Sequence, residues 1–210
     1  MTDLRQFAPS TARNRAPIVE VLQRVLPAEG AALELASGSG EHAVFFAANL
    51  PGWTWQPSDS EAAAHTSIAA WIEADNVTNV KTPVAIDVRE GAWGVESAAP
   101  FDAVLAINMI HISPWASTLG LLAGAARLLR PDGVLFLYGP YRRGGAHTAP
   151  SNEAFDASLK ARNAEWGVRD VEALIDEAKA RGLTLKEIAE MPANNLSVVL
   201  TRTSSTATNR

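Results

Sequence analysis

Residues Glu34–Gly40 combine an acidic side chain with two glycines in a pattern typical of ligand-binding turns. They overlap the end of the apolar run Ala31–Ala36, which predicts a strand, and they precede a helical pattern. Gly38 and Gly40 allow the backbone to approach a ligand closely and to turn into the helix. The same pattern also occurs where a strand is simply joined to a helix, so the turn alone does not identify a ligand site.

Two aspartates follow the next two predicted strands. Asp59 comes after the second strand, about 20 residues beyond Gly40, which is the spacing at which a βαβ unit places a carboxylate beside the turn. There it can accept hydrogen bonds from ribose hydroxyls. Asp87 ends the third strand, the next position along the same sheet edge. Either aspartate could instead cap a helix or lie in a solvated turn, but together with the glycines they predict a nucleoside site.

Charge separates the two nucleoside ligands that suit this turn. Gly38–Ala43 fits the G-x-G-x-x-A pattern of dinucleotide-binding turns. A pyrophosphate would, however, approach Glu34 and Glu41, with no lysine or arginine nearby in the sequence to offset the repulsion. S-adenosylmethionine carries a positive sulfonium and a positive ammonium, and the carboxylate of Glu34 at the end of a buried strand needs a partner. The charge pattern favours S-adenosylmethionine, and a nicotinamide-dependent oxidoreductase is the alternative.

Ala31–Gly40 resembles the first motif of class I S-adenosylmethionine-dependent methyltransferases. Glu34, Gly38 and Gly40 match that motif, and Ala36 replaces its first glycine. The resemblance implies that these four residues belong to the cofactor site. Since alanine adds only a methyl group, we expect a slightly tighter turn and not a lost site.

Further motifs of the same class follow along the chain. Asp59 matches the ribose-binding acid of these enzymes, and Asp87 matches the residue that usually meets the adenine amino group. Phe101–Asn108 resembles the fourth motif, whose closing residue lies near the methyl donor, and Leu128–Leu135 resembles the turn before the fifth strand. The resemblance therefore implies that Asp59, Asp87 and Asn108 also bind the cofactor.

A narrower resemblance extends over nearly the whole chain. Its strings are Phe7–Ser10, Ala12–Ile18, Asn108–Trp115, Tyr138–Tyr141, Pro150–Asp156, Trp166–Asp170 and Met191–Leu196. They are similar to a little-characterised methyltransferase-like family of bacteria and animals, long classed as a domain of unknown function. This family implies a methyltransferase fold with S-adenosylmethionine as cofactor but no particular substrate. We expect a methyltransferase acting on a small molecule, and a non-catalytic interaction module of the same fold is a further alternative.

Two side chains are candidates for the chemistry of methyl transfer. The reaction is an in-line displacement that needs alignment and exclusion of water, and a hydroxyl or protonated amine acceptor also needs a base. His111 follows the fourth strand closely and is expected over the methyl-donor pocket, although it could be a loop histidine bonded to backbone. Tyr141, at the mouth of the fifth strand, could act as a base or as an orienting hydroxyl. The class I resemblance further implies that Arg15, near the N-terminus, pairs with the methionine carboxylate of the cofactor.

The polar stretch Gly139–Gly167 is too long to be a simple connection. It contains one helix-like piece, Asn152–Asn163, and a high density of hydrogen-bonding side chains. We predict that it forms a lid over the substrate. A helical cap on the sheet, anchored by Phe155 and Trp166, is the alternative, and both can hold together.

Short apolar runs alternate with amphipathic segments, which predicts an α/β protein with a mostly parallel, Rossmann-like sheet and helices on both faces. The predicted strands are Ala31–Ala36, Trp53–Gln56, Pro83–Ile86, Phe101–Ile107, Val134–Tyr138, Leu183–Glu190 and Leu196–Arg202. The predicted helices are Asn14–Leu26, Glu41–Leu50, Ser60–Ala74, Pro114–Leu129, Asn152–Asn163 and Val168–Arg181. The family resemblance implies that the last of the seven strands is antiparallel. Residues 1–202 are predicted to form one domain, with 1–30 covering the cofactor, 139–167 as the lid and 203–210 as a frayed tail.

Composition excludes several other classes of function. The 210 residues are 47% hydrophobic and 20% charged, which is ordinary for a globular domain. A net charge of −5 without a basic run argues against nucleic acid as a partner. The absence of cysteine excludes disulfides and thiolate catalysis, and the four histidines show no metal-site spacing. With neither a secretory leader nor an apolar span of about 18 residues, we expect a cytoplasmic protein with no membrane partner.

Overall fold

Helices and strands alternate along most of the chain in the computed structural model, which describes residues 3–203. The helices are α1 (Pro9–Val25), α2 (Glu41–Asn49), α3 (Ala62–Asp75), α4 (Trp115–Leu128), α5 (Pro150–Arg162) and α6 (Val171–Lys179). The strands are β1 (Gly30–Leu35), β2 (Trp53–Asp59), β3 (Val84–Ala85), β4 (Phe101–Ile107), β5 (Leu129–Arg143), β6 (Ala146–His147), β7 (Arg169–Asp170), β8 (Leu183–Met191) and β9 (Asn195–Arg202). All seven predicted strands and all six predicted helices are present; β4 has the predicted bounds, and the others have at least one shifted end.

The main sheet has the order β3-β2-β1-β4-β5-β9-β8. The pairs among β1 to β5 are parallel, whereas β9 runs antiparallel to both β5 and β8. The predicted α/β class, with a mostly parallel sheet and an antiparallel last strand, is confirmed. Strand order reverses between β1 and β4, and sheets of this kind bind ligands at that point, beyond the carboxyl ends of the strands.

Two short strands were not predicted. β5 continues to Arg143, well beyond its expected end at Tyr138, and its extension pairs with β6 and β7. The sheet therefore has nine strands, of which seven follow the main order. The extension begins with Gly139 and Pro140 and ends with two arginines, so it breaks the alternating apolar pattern that predicted the strand, and that pattern does not mark where the strand ends.

Apolar layers cover both faces of the sheet. On one face Ile18 of α1 and Phe46 of α2 pack against Trp55 of β2, and all three side chains are fully buried. On the other face Leu121 of α4 and Leu174 of α6 are equally buried. Each fully buried side chain of this kind stabilises the fold by roughly 1.5–3 kcal/mol, because it is removed from water. The two layers thereby hold the strands in place, and the ends of these strands carry the site.

The helices α1 and α3 do not begin at the predicted residues. α3 begins at Ala62 with Glu61 at its cap position, and neither Asp59 nor Ser60 caps it. Asp170 caps α6, since its side chain accepts a hydrogen bond from the backbone nitrogen of Glu172. α1 begins at Pro9, so the expected start at Asn14 was wrong and Asn14 is a buried residue inside the helix.

Both ends of the described chain are held by side chains. The backbone nitrogen of Gln6 donates to Ser67 Oγ at 2.8 Å, and that of Ala8 donates to Glu41 Oε2 at 2.7 Å. Thr203 bonds to the carbonyl of Gly182, so the predicted frayed tail does not include its first residue. The rest of that predicted tail, 204–210, lies outside the described residues. Within 3–203, no helix combines the length and apolar character needed to cross a bilayer.

Candidate functional site

The turn after β1 has the backbone geometry of a ligand-binding loop. Ala36, Gly38 and Gly40 all have positive φ values, of 52°, 54° and 92°. The backbone nitrogen of Ser37 donates to the carbonyl of Ser58 at 2.8 Å, which ties the turn to the neighbouring strand. Ala36 occupies a conformation that favours glycine, and it is exposed at the sheet edge, so the missing glycine has not closed the turn.

A cavity of about 490 Å³ opens beside this turn, and we call it the turn cavity. The predicted site residues Ala36, Gly38, Asp59 and Asp87 line it, together with the apolar side chains of Ile86, Val88, Ile107 and Met109. A Cβ atom built on Gly38 has no neighbour within 4 Å, so this backbone faces open space. The cavity thus offers a bare backbone, an apolar wall and the carboxylates of Asp59, Glu61 and Asp87, and these residues fit an adenosine.

Asp59 is held in a fixed position at the edge of the turn cavity. Its Oδ2 accepts a hydrogen bond of 2.9 Å from the backbone nitrogen of Gly38, and its Oδ1 accepts one of 3.0 Å from that of Glu61. Asp87 lies on the rim and pairs with Arg89 at 2.6 Å. The hydrogen bond from Arg89 lowers the pKa of Asp87, which is therefore ionised at neutral pH.

Two predicted residues of the first motif lie outside the turn cavity. The Glu34 carboxylate is buried beneath the turn, where Oε2 accepts a hydrogen bond from the indole of Trp55, and burial raises its pKa to about 7. At Gly40, an added Cβ would lie 2.7 Å from Cα of Ile68, so this glycine allows α2 and α3 to approach each other. Both residues lie outside the lining of the turn cavity, and their predicted contacts with a cofactor stay predictions.

A second cavity, of about 600 Å³, adjoins the first, and we call it the His111 cavity. Ile112 lines both cavities, so they share a wall. Asn108 also lines the second cavity; its backbone has a φ of 59°, and its nitrogen donates to the carbonyl of Tyr138 at 2.9 Å. The predicted residues His111 and Asn108 thus lie together, next to the turn.

His111 lines this cavity, and its side chain is buried and uncharged. Its side chain is 4% exposed and its ring makes an edge contact with Phe155, at 5.4 Å between centroids. Burial, followed by the charges of Arg169 and Arg162, lowers the pKa of His111 to about 4. The imidazole is therefore neutral at pH 7, with one ring nitrogen free to accept a hydrogen bond.

The tyrosine in the cavity is Tyr138 and not the predicted Tyr141. Tyr138 lines the His111 cavity, whereas Tyr141 is 1% exposed in the core on the opposite face of the sheet. Successive side chains of a strand alternate between faces, so residues three apart point in opposite directions. The Tyr141 hydroxyl has no hydrogen-bond partner among residues 3–203, and burial raises its pKa far above the usual value. The alternation of apolar residues in β5 could have identified Tyr138.

The arginine in the cavity is Arg13 and not the predicted Arg15. Arg13 lines the His111 cavity. The guanidinium of Arg15 instead lies 4.7 Å from the ring centre of Phe45, away from both cavities. Both arginines belong to α1, where residues two apart do not share a face. The sequence resemblance placed this segment near the cofactor but did not show which face of the helix each arginine occupies.

The segment predicted as a lid contributes one aromatic side chain to each cavity. Phe155 of α5 lines the His111 cavity and Trp166 lines the turn cavity. Asp156 holds the segment together, accepting hydrogen bonds from Val168 N at 2.7 Å and from Lys160 Nζ at 2.6 Å. Within residues 3–203, no three potential metal-ligating side chains cluster.

A family model described as "Protein of unknown function (DUF938)" matches residues 5–202. This match covers nearly the whole chain and confirms the narrower resemblance recognised in the sequence.

Solved structures with the same fold are methyltransferases. An O-methyltransferase family protein from Burkholderia thailandensis has a TM-score of 0.77 at 15% identity, over 90% of this chain and 56% of that one. An O-methyltransferase family 2 protein from Planctomyces limnophilus, in complex with apigenin, has a TM-score of 0.73 at 16% identity, over 93% and 62%. The calicheamicin-biosynthesis methyltransferase CalO1, in its S-adenosylhomocysteine-bound form, has a TM-score of 0.69 at 17% identity, over 89% and 53%. The chain spans little more than half the length of these proteins and has a methyltransferase Rossmann-like fold.

Proposed function

The chain belongs to the DUF938 family, and from its two adjoining cavities we propose that it transfers a methyl group from S-adenosylmethionine to a small-molecule acceptor. One observation carries the proposal: the turn cavity, with the features of an adenosine site, shares the wall residue Ile112 with a cavity that contains a neutral histidine. A methyl donor bound in the first cavity can present its reactive carbon to a molecule in the second. Similarity of fold to known methyltransferases supports this assignment.

The residues of the turn cavity would hold the nucleoside. Asp59 is fixed by the backbone nitrogens of Gly38 and Glu61, so its remaining lone pairs can accept hydrogen bonds from ribose hydroxyls. Asp87 is ionised and can accept from the adenine amino group, while Ile86 and Met109 provide an apolar surface for the purine. S-adenosylmethionine would supply an activated methyl group on a positively charged sulfonium. The nearby carboxylates attract this positive charge, whereas they would repel a pyrophosphate.

The residues of the His111 cavity would bind the acceptor and manage its proton. His111, being neutral, can accept a hydrogen bond from an acceptor hydroxyl and take its proton as the oxygen–carbon bond forms and the sulfur–carbon bond breaks, releasing S-adenosylhomocysteine. Its low pKa makes it a weak base, so we expect its contribution at the lower end of the typical range, roughly 10²–10⁴ in rate. Burial raises the pKa of Tyr138 even though its hydrogen bonds with Asn14 and Asn195 oppose the shift, so its phenol stays protonated and can orient the acceptor. Ile112, which lines both cavities, and Phe155 in the His111 cavity would exclude water from a bound acceptor.

Four predicted residues have no direct role in this proposal. Glu34 and Gly40 shape the turn from beneath, Tyr141 packs in the core, and Arg15 stacks on Phe45. Among residues 3–203, the only lysine or arginine that lines the turn cavity is Arg89, and it is already paired with Asp87. The turn cavity therefore offers no unpaired positive charge to a pyrophosphate, which disfavours the nicotinamide alternative.

Calorimetry tests the proposal. We expect S-adenosylhomocysteine to bind the wild-type protein, with no heat from NAD or NADP. The variant Asp59→Asn should bind S-adenosylhomocysteine roughly 10–100-fold more weakly, because hydrogen bonds to a charged acceptor are worth about 1.5–3 kcal/mol. Glu73→Gln, an exposed change on α3, is the control and should bind normally. Binding of NAD in place of S-adenosylhomocysteine, or an Asp59→Asn protein with unchanged affinity, contradicts the assignment.

A further inference from the structure

The His111 cavity has an unusual balance of charge. Among residues 3–203, none of the side chains that line it carries a carboxylate. Arg13 supplies a positive charge, and asparagines such as Asn14, Asn108 and Asn195 supply neutral hydrogen-bonding groups. A cavity that bound a cationic molecule would need negative charge in its wall, so this lining favours a neutral or negatively charged occupant.

Arg13 is available to a ligand. Its side chain is exposed, and it forms no ion pair with any residue of the described part of the chain. Arg89, which lines the turn cavity, is by contrast paired with Asp87 at 2.6 Å. An unpaired guanidinium at the wall of a cavity is suited to a carboxylate or phosphate, which it can bind with two parallel hydrogen bonds.

Two more arginines make the surroundings of His111 positive. The charges of Arg169 and Arg162 both act on the imidazole, in addition to its burial. Asp156, a carboxylate on the lid, is paired with Lys160 at 2.6 Å. A negatively charged molecule next to His111 would therefore meet Arg13 in the cavity wall and the positive field of Arg169 and Arg162, with no carboxylate among the described lining residues.

The opposite wall of the cavity is apolar. Phe155 is 37% exposed and Ile112 is 42% exposed, and both side chains face the cavity. Large apolar side chains left open in this way favour a ligand with an apolar body. The volume of about 600 Å³ is within the range of small-molecule sites.

We infer that the acceptor is a small organic acid, with an apolar body that packs on Phe155 and Ile112 and an anionic group that pairs with Arg13. This inference rests on the proposed function, since it takes the His111 cavity to be the acceptor site. A carboxylate at Arg13 could also come from the methionine part of the cofactor. The acceptor is favoured because Arg13 lines the His111 cavity and not the turn cavity.

Matched ligand pairs test the inference without knowledge of the natural acceptor. Benzoate and benzamide, and 4-hydroxybenzoate and 4-hydroxybenzamide, have nearly the same shape and differ in charge. Their affinities are measured by ligand-observed NMR, with and without S-adenosylhomocysteine. We expect each acid to bind the wild-type protein about tenfold more tightly than its amide, as for a charge-assisted pair. In Arg13→Gln this preference should disappear, and in the control Arg15→Gln, two residues along the same helix, it should remain.

Two results overturn the inference: equal affinity for acid and amide in the wild-type protein, or an acid preference that survives in Arg13→Gln. A second set of measurements compares the affinity for S-adenosylhomocysteine with the affinity for 5′-methylthioadenosine, which lacks the amino-acid part. If Arg13→Gln weakens only S-adenosylhomocysteine and leaves the acid preference intact, Arg13 holds the cofactor and the inference is wrong. A wild-type protein that fails to bind S-adenosylhomocysteine contradicts the proposed function instead, while the acid preference measured without it still reports on Arg13.

Discussion

The indole nitrogen of Trp55 donates a hydrogen bond of 2.6 Å to Oε2 of Glu34. Both side chains are buried, and they lie on adjacent parallel strands, where Glu34 is paired in register with Pro57 and Trp55 with Ala32. A buried carboxylate needs a partner, and this one finds it inside the protein and not in a ligand. Glu34 therefore supports the turn from beneath.

We expect Glu34→Gln to change how stability depends on pH. The pKa of Glu34 is raised from the ordinary 4.5 to about 7, because burial disfavours the charged form. Between these values the folded protein holds a proton that the unfolded chain releases, so this contribution is present below about pH 4.5 and is lost as the pH rises to about 7. Glutamine has no such proton and can still accept from Trp55.

The stability of Glu34→Gln relative to wild type should thus increase by up to about 3 kcal/mol from pH 5 to pH 8. Urea unfolding of both proteins at the two pH values measures this difference, and other titrating groups cancel in the comparison. Parallel stability curves for the two proteins are inconsistent with a buried, protonated Glu34.

Gly38 and Gly40 should respond differently to alanine substitution. A Cβ on Gly38 points into open space in the turn cavity, so Gly38→Ala should fold with a loss of about 1 kcal/mol from its positive φ and should bind S-adenosylhomocysteine more weakly. A Cβ on Gly40 meets the backbone of Ile68, so Gly40→Ala should lose several times more stability. Thermal unfolding and calorimetry on both variants separate the effects. Equal loss of stability in the two variants contradicts this division of roles.

The two tyrosines of β5 provide a matched pair. Tyr141→Phe removes a buried hydroxyl that has no partner among residues 3–203, so its stability should be unchanged or up to about 1 kcal/mol higher. Tyr138→Phe removes a hydroxyl that bonds to Asn14 and Asn195, so it should lose about 1 kcal/mol and weaken ligands of the His111 cavity. Chemical denaturation and the NMR binding assay provide the readouts. Weaker ligand binding in Tyr141→Phe would restore that residue as a candidate.

His111 should titrate well below an ordinary histidine. Its pKa of about 4, lowered by burial and by Arg169 and Arg162, keeps the ring neutral through the physiological range. NMR titration of the histidine ring protons, with the signal assigned from its loss in His111→Asn, measures the value. In Arg162→Gln the pKa should rise, because a neighbouring positive charge is removed. A titration near 6.5 would show that the ring is solvated and would remove the basis for its neutrality.

The sequence predicted which strand ends meet at the site more reliably than it predicted the directions of individual side chains. Ala36, Gly38, Asp59 and Asp87 line the turn cavity as expected, because a parallel sheet brings the carboxyl ends of its strands to one edge. Asn108 and His111 also lie where the fourth strand ends. Arg15 and Tyr141 line neither cavity, because Arg15 lies on another face of α1 and Tyr141 points to the other face of the sheet. In each case a neighbour two or three residues away, Arg13 or Tyr138, faces the cavity instead.

By itself, the sequence determined the α/β class, the turn at Glu34–Gly40 and the two acids that follow, because hydrophobic periodicity and glycine spacing are local properties of the chain. Only the tertiary structure decided which of these groups face the cavities. Glu34 lies in the expected turn, yet its carboxylate bonds to Trp55, a residue of another strand, and burial then changes its charge. Direction and burial depend on packing between elements distant in sequence, and no local pattern encodes them.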